Sequence, residues 1–253
     1  MAGWVMQCPK CGIKQDAGTG ICIACGLVLE KYYKYHPRPG ETLLPVAAAP
    51  APELDEPESL RDLLLPAEVG GDWIALVGRG LVFVVLCLWG SYLSLLSIES
   101  NAAGASFLHM INLPFHEAGH VLFMPFGRFL HSLGGTLGQL LMPAICASVL
   151  LLKTRDPFGA SVGLWWLGEN FLDIAPYIND ARAGRLPLLG GNTGHSAPYG
   201  FHDWEYLLGE SGLLRWDHAL ARGSHLLGAM IVTLALVWGG LLLYRQYRGL
   251  NRG

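Results

Sequence analysis

The chain has 253 residues, of which 52% are hydrophobic and only 15% charged, and its net charge is −3. A soluble domain carries about a quarter charged residues, so this balance, with a mean hydropathy of +0.36, points to a membrane protein. The mildly acidic charge gives no support for a nucleic-acid partner, and none is expected. The first residues are polar and contain a Cys pair, so no secretory signal peptide is expected there.

Residues 1–34 read as a zinc ribbon. Cys8-Pro-Lys-Cys11-Gly and Cys22-Ile-Ala-Cys25-Gly are two matched C-x-x-C knuckles, the spacing of a structural Cys₄ zinc site. The Gly after each pair lets the backbone turn so that amides can face the thiolates. A ribbon this small is folded by its metal, and reduced thiols place it in the cytoplasm. Its role stays open between docking a cytoplasmic protein partner, sensing substrate and gating access. Cys87 and Cys146 stand alone in apolar runs and read as small buried hydrophobes.

Residues 35–72 are rich in Pro, Ala and acidic side chains and read as a linker, with a short interfacial turn at 61–65. Residues 73–253 form the membrane-embedded part. The expected fold is an α-helical polytopic membrane protein with about four to five apolar segments, one of them re-entrant, attached to the small N-terminal Cys₄ ribbon. The apolar runs are 80–98, 107–126, 133–152, 158–178 and 226–244. Arg79, Lys153, Arg155 and the C-terminal Arg245, Arg248 and Arg252 are the basic flanks, which the positive-inside rule assigns to the cytoplasmic face of a cell (inner) membrane.

The second run carries His116-Glu117-Ala118-Gly119-His120, an H-E-x-x-H. On a helix the two histidines share one face a turn apart and can grip one Zn²⁺, while Glu117 stands where it can take a proton from a bound water. Ionisable groups in a bilayer segment are costly and usually functional. Catalytic zinc takes a third protein ligand and keeps a position open for water. Asp173, Asp180, His202 and Asp203 are the candidates. The cost of burial selects Asp173 first, inside an apolar run, and Asp180 second, since Asp180 could instead pair with Arg182 or Arg185 at the end of the span. His202 and Asp203 read mainly as the start of a helix, with Asp203 as its N-cap.

Asn112-Leu-Pro-Phe-His-Glu-Ala-Gly-His120, followed by Asn170-Phe-Leu-Asp173-Ile-Ala-Pro176-Tyr-Ile-Asn-Asp180, resembles the site-2 protease family of intramembrane zinc metalloproteases. The resemblance covers roughly residues 107–180. It implies zinc held by His116, His120 and an aspartate from a later helix, with Glu117 activating water and Asn170 binding substrate backbone. The family's N-x-x-P-x-x-L-D-G pattern is only partly present, because no Leu-Asp-Gly follows Asn170, so the third ligand stays open between Asp173 and Asp180. The implied activity is hydrolysis of a membrane protein or peptide substrate in the lipid bilayer, with one catalytic and one structural zinc. The competing reading is a non-catalytic zinc-ribbon adaptor with a relict metal site.

Overall fold

The computed structural model describes residues 5–16, 18, 20–33, 35–36, 59–66 and 72–252. The chain divides into two compact units, Met1–Asp55 and Glu56–Gly253. Most of the expected linker falls outside the described residues.

In the first unit, β1 (Val5–Gln7) pairs antiparallel with β2 (Lys14–Asp16), with Met6 opposite Gln15. The two knuckles repeat one hydrogen-bond pattern. Cys8 N–H donates to the Ile13 carbonyl and Gly12 N–H to Cys8, just as Cys22 N–H donates to Leu27 and Gly26 N–H to Cys22, all at 2.8–2.9 Å. Gly12 and Gly26 both adopt positive φ, +74° and +68°, which a residue with a Cβ enters only at a cost. A short helix, α1 (Leu29–Tyr33), follows.

The second unit is helical: α2 (Leu60–Leu64), α3 (Trp73–Leu95), α4 (Phe107–Phe123), α5 (Arg128–Leu152), α6 (Pro157–Asn179), α7 (Asp203–Glu210) and α8 (Asp217–Leu250). Among the described residues three helices are long and apolar enough to cross a membrane: Trp73–Leu95, Arg128–Leu152 and Leu214–Leu250. That is fewer than the four to five expected segments. The 17 residues of α4 reach only about 26 Å, short of the roughly 30 Å hydrocarbon core. α6 has the length, but it carries Glu169, Asn170 and Asp173 and lies buried among its neighbours. By contrast, Ile74, Leu88 and Leu95 of α3 are 70–85% exposed, which suits a lipid-facing surface and not water.

The helices are placed by small residues and by caps. Asp72 caps α3 by accepting from Ala75 N–H, and Asp156 caps α6 from Gly159 N–H with Pro157 opening the helix. α4 and α5 form an antiparallel hairpin in which backbones nearly touch. A Cβ on Gly134 would come within 2.6 Å of the Gly119 carbonyl oxygen. α6 packs against α5 and α8, burying Trp165 and Leu172 with Leu93 of α3 and Val232 of α8. Arg79 lies 3.7 Å from Asp156 and donates to Gln246, so the start of α3, the start of α6 and the end of α8 lie together. The basic flanks at Arg79, Lys153 and Arg245 therefore share one end of the bundle.

Candidate metal centre

α4 presents His116 and His120 one turn apart, their ring centroids separated by 4.8 Å. The third group is Asp203, the first residue of α7. Its Oδ2 stands 3.1 Å from His116 Nε2 and 3.3 Å from His120 Nε2. The three ligand atoms lie within 4.8 Å of one another and could hold a metal ion. Ser132 Oγ donates to the other carboxylate oxygen at 2.8 Å, which fixes the face Asp203 turns to the histidines. Burial pushes the Asp203 carboxyl up, but where the two Nε2 atoms carry protons, hydrogen bonds and charge from His116 and His120 outweigh it and hold the group well below the usual carboxylate range.

The donor set suits a cation. His120 Nδ1 meets the His131 main-chain carbonyl at 2.8 Å, and a carbonyl can only accept, so this ring carries its proton on Nδ1. His116 Nδ1 meets Gln139 Oε1 at 2.7 Å. With both Nδ1 atoms donating, neutral rings turn two lone pairs toward a carboxylate oxygen. Three electron-rich atoms at this spacing are reconciled by a cation, either a metal ion or an added proton. Gly135 of α5 leaves the room: a Cβ there would stand 2.5 Å from His116 Nε2 and 2.6 Å from His120 Nε2.

These groups line a cavity of about 360 Å³ that also receives Glu117 and Tyr177, with an apolar wall from Leu186 and Leu188. Glu117 thus opens on the same space as both histidines and Asp203.

Neither aspartate favoured from sequence joins the histidines. Asp173 is buried, as its apolar run implies, but its carboxylate is taken by His109 Nδ1 at 2.9 Å and by Asn112 Nδ2 at 3.1 Å. Asp180 accepts from the amides of Arg185 and Leu186 at 3.0 and 2.8 Å and so anchors the turn after α6. Arg182, expected near it, pairs instead with Asp217 at 2.6 Å. Asn170 is fully buried, and its amide is spent on the Trp166 carbonyl, Asn112 and Gln139, so it does not face the cavity as a substrate-binding residue would.

The N-cap of α7 is His202 and not Asp203. Its Nδ1 accepts from Glu205 N–H at 3.2 Å, its ring stacks on Tyr177 with centroids 4.3 Å apart, and its Nε2 lies 3.6 Å from Asp180. Burial keeps this imidazole below its ordinary pKa despite the nearby carboxylates. Asp180 and His202 together set where α7 starts and hence where Asp203 points. Gly135, Ser132 and Gln139 were not singled out by sequence. A Gly-Gly pair four residues before Gln139, in an otherwise long apolar helix, was the available signal.

In the first unit Cys8, Cys11, Cys22 and Cys25 gather their sulfurs within 4.8 Å, with Cys8–Cys25 at 3.7 Å and Cys11–Cys22 at 3.6 Å. All four are free thiols and form a second group that could hold a metal. The backbone amides of Cys25 and Ala24 help bring the Cys22 thiol down to about 6.

Comparison with known proteins returns no match: no family model, no curated protein and no solved structure matches this chain.

Proposed function

We propose that the chain is a membrane-embedded zinc metallopeptidase of the kind the site-2 protease resemblance suggests. The observation that carries the reading is the convergence of His116, His120 and Asp203 on one point of a cavity that Glu117 also lines. Two imidazoles and a carboxylate are a ligand set of catalytic zinc, which would keep one position for water. When bound there, zinc would acidify a water and polarise the substrate carbonyl. Glu117 takes the proton from the attacking water and delivers it to the departing amine nitrogen. The Leu186 and Leu188 wall receives apolar side chains of the substrate and keeps bulk water from the reacting bond. A helical substrate must unwind locally, since its amides are otherwise engaged in its own helix.

The Cys₄ group is read as the structural zinc. Sulfurs about 2.3 Å from a tetrahedral zinc ion stand about 3.8 Å apart, close to the two sulfur pairs described above. The shared basic end is assigned to the cytoplasmic side of a cell membrane, with the ribbon on that side.

The test is the full-length protein in detergent, assayed for metal content and for cleavage of transmembrane peptides. Two zinc ions per chain and a Glu117→Gln variant that keeps both but cleaves nothing are expected. Cleavage unchanged in Glu117→Gln, or a chain that holds only the Cys-bound metal, would overturn the reading.

A further inference from the structure

The proton on His116 Nδ1 is set by a chain of hydrogen bonds whose direction starts at the Trp166 indole and its partner Asn112. The Trp166 indole N–H can only donate, and it donates to Asn112 Oδ1 at 2.8 Å. Asn112 Nδ2 is thereby turned to Glu169 Oε2 at 3.0 Å and Asp173 Oδ2 at 3.1 Å, both acceptors. Asn170 Nδ2 donates to the Trp166 main-chain carbonyl at 3.0 Å and to Asn112 Oδ1 at 3.2 Å. Asn170 Oδ1 therefore faces Gln139 and accepts from its Nε2 at 3.2 Å. Only the oxygen of Gln139 is left for His116 Nδ1, 2.7 Å away.

Reversing Gln139 would set its oxygen against Asn170 Oδ1. Relieving that clash means turning Asn170, and then Asn112, against a carbonyl and an indole N–H that cannot exchange roles. Asn112, Gln139 and Asn170 are 1%, 6% and 0% exposed, so water has little access to supply a substitute partner. We propose that Gln139 is a positioning residue: held by Trp166, Asn112 and Asn170, it locks His116 as the Nδ1–H tautomer and so sets the metal affinity of the site. This rests on the metal reading of His116, His120 and Asp203. It assigns a role to Asn170 and Asn112 inside the protein, away from substrate.

The experiment uses full-length protein in detergent micelles with ¹⁵N-labelled histidine. The metal-free protein is observed at alkaline pH, where neutral rings report their tautomer, and His116 is assigned by the signal lost in His116→Gln. Metal affinity at the histidine site is read by titration with Co²⁺. The wild type is expected to show His116 protonated on Nδ1. Gln139→Leu is expected to mix the tautomers and weaken Co²⁺ binding by about 10–100-fold. Gln139→Glu, whose carboxylate still accepts from His116 Nδ1 at alkaline pH, is expected to restore both. Trp166→Phe removes the indole but keeps the main-chain carbonyl that orients Asn170, and is expected to leave His116 protonated on Nδ1. His116 found protonated on Nε2 in the wild type, or both readouts unchanged in Gln139→Leu, would overturn the proposal. A wild type that takes no cobalt at the histidines would sink the peptidase reading and the affinity claim, while the metal-free spectrum would still decide the lock.

Discussion

His120 and His131 exchange hydrogen bonds: each ring Nδ1 donates to the other's main-chain carbonyl, both at 2.8 Å. The pair staples the last turn of α4 to the first turn of α5, where a helix end would otherwise leave its carbonyls bare. One half orients the His120 ring of the candidate metal group and the other half satisfies backbone.

That division separates stability from metal binding. His131→Phe removes the bond to the His120 carbonyl but keeps the His131 carbonyl that holds the His120 ring. The expected result is a loss of about 1 kcal/mol in stability with metal affinity nearly unchanged. Denaturant unfolding and a metal titration on the same preparation check both parts.

The third ligand is decided by comparing two aspartates. Asp203→Ala removes the carboxylate grouped with His116 and His120. It should lower affinity at that site by about 100-fold, equivalent to about 2.8 kcal/mol, and leave the Cys-bound metal in place. Asp173→Asn keeps an acceptor for His109 and should leave two metals per chain. Metal analysis after dialysis distinguishes the two, and the opposite pattern would restore Asp173 as the ligand.

Much of this site was legible in sequence, and the boundary of what was legible has a physical cause. His116, Glu117 and His120 are related by the pitch of one helix, so their spacing alone predicts a shared face. The four cysteines are likewise local. Asp203 joins the histidines across 83 residues from His120, through a turn set by Asp180 and a cap made by His202, and no periodicity records that. Burial cost points to Asp173 because it lies inside an apolar run. A carboxylate in that position does need a partner, but His109 supplies it. The span count failed for a related reason: α6 reads as apolar in sequence, yet protein surrounds it.

Gly135 offers a test of the space between the ligands. A methyl group there would crowd both Nε2 atoms, so Gly135→Ala should abolish metal uptake at the histidine site while leaving the helix content intact. Gly223→Ala is the control. Nothing lies within 4 Å of a Cβ built on Gly223, and alanine favours the helix by about 1 kcal/mol. Metal analysis and circular dichroism on both variants check this pair, and normal metal uptake in Gly135→Ala would show that the metal sits elsewhere.

The ribbon should answer to its own metal alone. Its described residues bury little beyond Cys8, Gln15, Cys22 and Leu29, too small a core to hold its fold without cross-linking. Cys22→Ser therefore should release one metal per chain and expose residues 5–36 to limited proteolysis. Helices α3 to α8 have their own core and their own group that could hold a metal, so their protease resistance and any metal at the histidines should persist. A strong chelator should reproduce the ribbon's loss in the wild type, and returning zinc should reverse it. Protection of residues 5–36 in metal-free Cys22→Ser would mean that the ribbon is folded by its backbone hydrogen bonds and not by its thiolates.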